Sequence, residues 1–296
     1  MDQQTLFMSF KPSKTLNKKG THLVGFGFDG TACFRKGARL GPSAIREASY
    51  GVETFSPYLN LDLDDTDKLY DLGDLDLGSS SSPEEKWKKG NQELSKLWDK
   101  INLKNDEVRL LTLGGEHSIS YAPIKKYLED YSDLLLIHLD AHADLRDGYE
   151  GFHYSHASII RRALDHFGKG HELVQYGIRS GTKSEYKWMR EKGTLQTSKE
   201  DFFSFIRSIP NERPLYLTLD LDYFDPSYFP GTGTPEPGGE DFHSFIKLMK
   251  ILRGKNIVGA DVVELAPDLD SSGNSSVFAA KVVREIGLLL TQNNLG

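Results

Sequence analysis

The stretch that decides the fold is Leu134-Leu135-Leu136-Ile137-His138-Leu139-Asp140-Ala141-His142-Ala143-Asp144. Its apolar first half predicts a buried β-strand, and Asp, His and Asp then occupy alternate positions. In an extended backbone alternate side chains share a face, so Asp140, His142 and Asp144 would converge on one point. Two carboxylates and an imidazole that converge at a strand end favour a metal site over a packed core.

Strand-like and helix-like patterns alternate along the rest of the chain. Strands are predicted at residues 22–28, 68–72, 108–113, 134–139, 172–178, 194–197, 215–221 and 257–263. Amphipathic helices are predicted at residues 84–101, 121–128, 157–167, 183–192, 241–252 and 276–290. This alternation predicts an α/β fold in which helices cover both faces of a parallel sheet. Because composition does not break within residues 21–296, we expect one domain there, preceded by an N-terminal tail or oligomer arm at residues 1–20.

Composition excludes several classes of protein. The net charge of −7 over 296 residues gives no support for nucleic-acid binding and favours cationic ligands. Cys33 is the only cysteine, so no intrachain disulfide can form and a reducing compartment, the cytoplasm, is expected. The first 20 residues match neither a secretory signal nor a membrane span, so no membrane association is expected.

Three other predicted strands also end in polar residues. Residues 108–113 lead into Gly114-Gly115-Glu116-His117, residues 215–219 into Asp220-Leu221-Asp222, and residues 257–263 into Glu264. Ligands of open α/β sheets bind outside the carboxyl ends of the strands. These side chains are therefore expected to form one site with the Asp140–Asp144 cluster.

The potential ligands indicate the type of site. Four carboxylates and two imidazoles are available: His117, Asp140, His142, Asp144, Asp220 and Asp222. Such a set favours Mn, Fe, Co, Ni or Zn over Ca. Six ligands exceed what one catalytic ion with an open position uses, but they suit two ions that share water and activate it near neutral pH. The pattern predicts a binuclear metallohydrolase, with His138 supporting the cluster or packing in the core, and with Glu116 facing solvent or fixing a loop.

Four sequence motifs of this chain together resemble those of a known family. The resemblance rests on four separated segments in order: Gly114-Gly115-Glu116-His117, Asp140-Ala141-His142-Ala143-Asp144, Thr218-Leu219-Asp220-Leu221-Asp222-Tyr223-Phe224-Asp225-Pro226 and Asp261-Val262-Val263-Glu264. The chain resembles the ureohydrolases (arginase, agmatinase and relatives) over about residues 22–290. This resemblance implies a three-layer α/β/α domain with an eight-stranded parallel sheet, two Mn²⁺ ions per subunit, and a homo-oligomer, a trimer or hexamer.

The resemblance also implies a role for each site residue. Asp140 and Asp220 would bridge the two ions. His117 and Asp144 would complete the ligand set of one ion, and His142 and Asp222 that of the other. Glu264 would pair with the planar guanidinium group of a small cationic substrate and orient its carbon. Asp144 would also relay a proton to the leaving amine.

Two histidines compete for the role of proton shuttle. The family's loop histidine precedes a small residue and then a hydroxyl residue, which matches His156-Ala157-Ser158. His156 is therefore predicted to be the acid/base group, since an unperturbed imidazole titrates near pH 6.5. His153 is expected in the pocket wall or at the surface.

The substrate prediction rests on loop composition. The segment Gly231-Thr232-Gly233-Thr234-Pro235-Glu236-Pro237 resembles agmatinases, as does the segment Gln175-Tyr176-Gly177-Ile178-Arg179-Ser180-Gly181. Residues 145–154 are acidic and aromatic, which suits the ammonium end of agmatine. We therefore expect hydrolysis of agmatine to putrescine and urea. Arg146 instead suits a carboxylate, as in 4-guanidinobutyrate, and L-arginine is a third candidate.

Two readings outside this class remain open from sequence. A mononuclear zinc deacetylase shares the architecture and an Asp-x-His element, but it would not need Asp144, Asp220, Asp222 and Glu264 together. A non-catalytic binding homologue would be expected to have lost ligands, whereas all six are present. Metal content separates the three readings: two Mn, one Zn or none per chain.

Overall fold

A computed structural model describes residues 5–291 as strands alternating with helices. The strands are β1 (Lys11–Pro12), β2 (Thr21–Phe26), β3 (Phe55–Ser56), β4 (Leu61–Asp62), β5 (Leu69–Asp74), β6 (Arg109–Gly114), β7 (Leu135–Leu139), β8 (Glu172–Tyr176), β9 (Leu195–Gln196), β10 (Leu215–Asp220) and β11 (Ile257–Val263). The helices are α1 (Gly41–Ser49), α2 (Pro83–Leu97), α3 (Tyr121–Asp130), α4 (Ile159–Leu164), α5 (Lys183–Lys192), α6 (Lys199–Ser208), α7 (Phe242–Leu252) and α8 (Asn274–Thr291).

The central sheet has nine strands in the order β1-β5-β2-β6-β11-β10-β7-β8-β9. Every neighbouring pair is parallel, as predicted. The ninth strand, β1, was not expected: it is a two-residue edge strand in which Lys11 pairs with Tyr70. The four strands that lead into the predicted site residues, β6, β11, β10 and β7, lie side by side at the centre of the sheet.

Helices pack on both faces of this sheet, so the core has two halves. Alternate residues of β7 point to opposite faces: Leu135 and Ile137 join one apolar cluster, and Leu136 joins the other. The first cluster includes residues of α1, α6, α7 and α8, and the second includes residues of α2, α3, α4 and α5. The α/β class predicted from the alternation is confirmed.

The segment before β2 packs on the domain. Phe7 and Phe10 are buried, and the backbone N–H of Phe7 donates to Asp71 at 3.1 Å. Asp71 also forms a buried bidentate ion pair with Arg46 of α1, at 2.8 and 2.9 Å. Residues 7–13, within the segment that the composition sets apart as a tail, thus lie against β5 in the structure.

Helix α6 and the helix that follows residue 157 differ from the pattern. Helix α6 was not predicted, although Ser198 caps it by accepting from the backbone N–H of Asp201, a recognisable start signal. The helix expected at residues 157–167 is shorter, because a 3₁₀ turn, His156–Ser158, precedes α4.

Within residues 5–291, no helix combines the length and apolarity needed to cross a membrane.

Candidate metal centre

The four central strands end at one level. Leu219 of β10 lies beside Leu139 of β7, and Asp220 lies beside Val263 of β11. Short 3₁₀ turns follow two of them, His117–Ser120 after β6 and Leu221–Tyr223 after β10. The polar residues predicted at these ends are therefore brought to one edge of the sheet, as the parallel arrangement requires.

The same local hydrogen bond shapes two of the strand ends. Asp140 accepts the backbone N–H of His142 at 2.6 Å, and Asp220 accepts the backbone N–H of Asp222 at 2.8 Å. Each aspartate thereby fixes a turn two residues ahead of itself. One carboxylate oxygen of each residue is used in this way, so the other can face the centre of the site.

Two site residues have left-handed backbones. Asp144 has φ +52° and Glu264 has φ +67°. An L-residue pays steric energy in this region, and such strain concentrates at functional sites. The left-handed turn at each position bends the chain sharply at the edge of the sheet, where both side chains line the cavity.

A first buried group forms around His117. Its Nδ1 lies 3.1 Å from a carboxylate oxygen of Asp140, 3.1 Å from one of Asp144 and 3.4 Å from one of Asp220. His117, Asp140, Asp144 and the neighbouring His138 can direct one ligand atom each toward a common point.

A second group shares Asp140 with the first. His142 Nδ1 lies 2.9 Å from Asp222 Oδ2 and 3.6 Å from Asp140 Oδ1. Asp140, His142 and Asp222 can together direct ligand atoms at one ion. Asp140 is thus the common member of two adjacent candidate cation positions, and all six predicted ligands lie around them.

The hydrogen bonds of His117 test whether a cation fits. Thr218 donates its hydroxyl to Asp261 at 2.6 Å, so its oxygen must accept from His117 Nε2 at 2.8 Å. A neutral imidazole protonated at Nε2 has a lone pair at Nδ1. This lone pair faces three carboxylate oxygens. Such an arrangement is repulsive unless positive charge lies among the four atoms. Without a metal, Asp140, Asp144 and Asp220 overcome the effect of burial and raise the pKa of His117 well above its usual range, so that a proton at Nδ1 supplies this charge. One nitrogen with three carboxylate oxygens is equally a donor set that suits Mn²⁺ or a similar ion in place of the proton.

The hydrogen bonds of His138 indicate that it supports the metal ligands and is not itself a ligand. Gln175 Nε2 donates to the carbonyl of Ala143 at 3.2 Å, which fixes the orientation of the amide. That nitrogen therefore also donates to His138 Nδ1 at 3.1 Å, so the proton of His138 is on Nε2. His138 then donates to Asp140 at 2.8 Å, which is the supporting contact that the sequence led us to expect.

Burial and mutual repulsion perturb the carboxyl groups strongly. Burial and the charge of Asp140 raise the pKa of Asp144 to about 6. Burial and the charges of Asp222 and Asp140 raise the pKa of Asp220 well above its usual range. Burial and Glu116 do the same to the pKa of Glu264. Without positive charge, this centre cannot keep its carboxylates ionised together.

A cavity of about 300 Å³ opens onto this cluster. His156 lines it, together with Asp144 and Glu264. Burial, followed by the charges of His142 and His117, lowers the pKa of His156 to about 4, so its imidazole is neutral near pH 7. His153 lies elsewhere: it contacts Arg162 and lines a separate cavity beside Trp87.

The rim of the cavity differs from the acidic rim that was expected. Asp147 bonds to Arg162 at 2.7 Å, with its side chain 90% exposed, and is not part of the lining. Arg146 and Tyr149 do line the cavity, with the guanidinium 4.6 Å from the ring centroid. The acid in the wall is instead Glu185, which the sequence did not single out; it accepts the backbone N–H of Leu145 at 3.1 Å.

The two agmatinase-like segments meet at the other side of the cavity. Arg179 holds them together, because its Nη2 donates to the carbonyls of Asp222 at 2.6 Å and Glu236 at 2.8 Å. Thr234 and Ser180 line the cavity. Glu236 Oε1 lies 3.8 Å from His142 Nε2, so this segment adds a carboxylate near the second group.

Comparison with known proteins is consistent with this arrangement. The model of the arginase family matches residues 19–288. An agmatinase of Bacillus cereus is 38% identical over 94% of this chain and 92% of its own length, and the human mitochondrial guanidino acid hydrolase is 30% identical over 89% and 76%. A solved structure from Clostridium difficile, provisionally named an agmatinase, aligns with a TM-score of 0.83 at 40% identity over 94% of this chain and 99% of that one.

Proposed function

Since the chain belongs to the arginase family, we propose that it is a binuclear manganese ureohydrolase that converts agmatine to putrescine and urea. The observation that carries this proposal is the pair of adjacent, carboxylate-rich cation positions that share Asp140 and open into one cavity.

The residues around His117 would hold one ion, and His142 with Asp222 would hold the other. Asp140 and Asp220 would serve both. Bound divalent ions lower the pKa of a shared water and so supply a nucleophile near neutral pH. His138 supports the centre by donating to Asp140, which orients this carboxylate.

Glu264 is suited to bind the guanidinium group. Its carboxylate lines the cavity and accepts the backbone N–H of His117 at 2.8 Å, which fixes its position. Burial makes a bare carboxylate unfavourable there, and a cationic guanidinium would offset this cost. The planar donor fork of the substrate would then be held with its carbon above the cluster.

Proton transfer would use His156 and Asp144. The neutral His156 can accept a proton in the cavity and return it to the leaving amine or to solvent. Asp144 lies in the wall of the same cavity beside the cluster, where its carboxylate can pass a proton from the shared water toward the leaving amine. Both groups line the same cavity.

Replacing His156 with alanine should lower kcat by about 10²- to 10³-fold, because a general acid/base group contributes on this scale. Replacing His153, which contacts Arg162 outside the cavity, should leave kcat within a few-fold. Urea release by the two variants is the measurement. If His153→Ala lost turnover and His156→Ala did not, the assignment would be reversed.

Most charged groups of the cavity wall favour agmatine as the substrate, but one group favours a substrate with a carboxylate. Glu185 and Glu236 place carboxylates at or near the cavity, which suits an ammonium group. The exposed guanidinium of Arg146 at the rim favours a substrate carboxylate, as in 4-guanidinobutyrate. That guanidinium is occupied in a stack on Tyr149, which reduces its availability.

Urea production from agmatine, 4-guanidinobutyrate and L-arginine, measured in parallel with Mn²⁺, tests the proposal. We expect agmatine to be used with the highest kcat/KM and about two Mn per chain by elemental analysis. Preference for 4-guanidinobutyrate would overturn the choice of substrate while leaving the chemistry intact. One Zn per chain, with no urea from any of the three compounds, would overturn the chemistry itself.

A further inference from the structure

A buried hydrogen-bond chain leads from His156 to the loop that carries His117. It runs from His156 to Thr31, in the loop after β2, and from Thr31 to Glu116, in the loop after β6. Thr31 and Glu116 are buried, at 5% and 0% exposure. The proposed reaction gives Thr31 no role, and its position in the sequence gave no sign of one.

Close backbone packing brings these loops together. The backbone N–H of Glu116 donates to the carbonyl of Phe28 at 2.7 Å. Residue 115 must be glycine for this contact, because a Cβ there would lie 2.1 Å from the same carbonyl oxygen. Glu116 is thereby set directly against Thr31.

The direction of the hydrogen bonds follows from the donors around Glu116. The Thr31 N–H donates to one carboxylate oxygen at 2.7 Å, and the hydroxyls of Thr31 and Ser118 donate to the other. When Glu116 is ionised, the single hydroxyl hydrogen of Thr31 is used in this contact. Its oxygen can therefore only accept, and it has two lone pairs for this.

Both lone pairs face His156. The backbone N–H of His156 lies 3.3 Å from the Thr31 oxygen, and so does Nδ1 of its ring. Since the oxygen accepts, Nδ1 must carry the proton in the neutral ring. Nε2 then has the lone pair, and it is the nitrogen available to the cavity that the ring lines.

We propose that Thr31 is a positioning residue that holds His156 as the Nδ1–H tautomer, so that Nε2 is the atom that accepts and returns the proton. This inference rests on the proposed role of His156. Free imidazole side chains in water favour the opposite tautomer, so the protein must select this one by a hydrogen bond at Nδ1. Glu116 acts one step further back, by fixing the direction of the Thr31 hydroxyl.

The test combines two variants of Thr31 with a direct observation of the tautomer. Thr31→Val keeps the shape and removes the hydroxyl, whereas Thr31→Ser keeps the hydroxyl. ¹⁵N NMR of protein with labelled histidine, loaded with diamagnetic Zn²⁺, distinguishes protonated from unprotonated ring nitrogens. The signals of His156 are assigned by their loss in His156→Asn. Thr112→Val, which removes a buried hydroxyl from β6, is the matched control.

We expect the Nδ1–H form in the wild type, in Thr31→Ser and in Thr112→Val, and a shift toward Nε2–H in Thr31→Val. With Mn²⁺, kcat of Thr31→Val should fall on the order of tenfold, less than for His156→Ala, with KM little changed. An Nε2–H ring in the wild type, or an unchanged tautomer in Thr31→Val, would overturn the inference. Full activity of His156→Ala would instead reject the proposed role of His156, which the NMR result does not depend on.

Discussion

Replacing Asp140 with asparagine is expected to abolish nearly all turnover. Asp140 is the residue common to both candidate cation positions, and it also receives hydrogen bonds from His138 and the backbone of His142. An amide has no negative charge and offers only one acceptor oxygen, so one position loses a ligand and the other keeps only a neutral one. A loss of about 4 kcal/mol of transition-state stabilisation corresponds to a rate lower by about 10³-fold.

An aspartate at the other end of β7 provides the control variant. Asp133 is exposed and precedes β7 at the opposite edge of the sheet, so Asp133→Asn removes an equal charge far from the cluster. Elemental analysis after dialysis should find about two Mn per chain in this control and fewer than one in Asp140→Asn. An Asp140→Asn protein with full metal content and more than a tenth of the wild-type kcat/KM would contradict the assignment.

The unfolding temperature separates loss of metal from loss of fold. Any ion that binds only the native state stabilises it by mass action. Adding Mn²⁺ should therefore raise the unfolding temperature of the wild type and of Asp133→Asn. The unfolding temperature of Asp140→Asn should respond little, although its amide relieves some carboxylate repulsion in the metal-free state.

Replacing Glu264 with glutamine should give the second-largest effect, on substrate binding and orientation rather than on metal content. A charge-assisted hydrogen bond stabilises by about 1.5–3 kcal/mol, and misplacement of the reacting carbon adds about 10²-fold in rate. We therefore expect kcat/KM for agmatine to fall by about 10²- to 10³-fold, with a higher KM and a lower kcat.

Metal analysis tells this variant apart from Asp140→Asn. Glu264→Gln should retain about two Mn per chain, because its carboxylate is held by the backbone N–H of His117 and is absent from both cation groups. Glu191→Gln, on the exposed face of α5, is the control for charge removal. The proposed role of Glu264 is rejected if its glutamine variant keeps the wild-type KM.

Much of the centre was predictable because strands and their ends carry strong sequence signals. Apolar runs such as residues 134–137 identify buried strands, and the period of two places Asp140, His142 and Asp144 together. The parallel fold then brings four strand ends to one edge. That β6, β11, β10 and β7 are direct neighbours could not be read from chain order, since β11 lies between two strands that precede it in sequence.

The missed features lack such signals. Thr31 is one hydroxyl in a loop, and its importance depends on a contact with a residue 125 positions away. Glu185 was not predicted to line the site because it lies in the polar first turn of a helix, where a glutamate is ordinarily a capping residue. It does cap α5, through Thr182, and lines the cavity as well. Strand β1 was not predicted because a strand of two residues that ends in proline shows no periodic pattern.

The left-handed backbones of Asp144 and Glu264 have a consequence for how this chain tolerates change. Each conformation costs an L-residue about 1–2 kcal/mol that glycine would not incur. In the metal-free protein, selection for thermal stability alone would therefore favour glycine at positions 144 and 264. Variants recovered from such a selection would have a higher unfolding temperature but an inactive metal centre. A search for a more stable enzyme must therefore keep Asp144 and Glu264 unchanged.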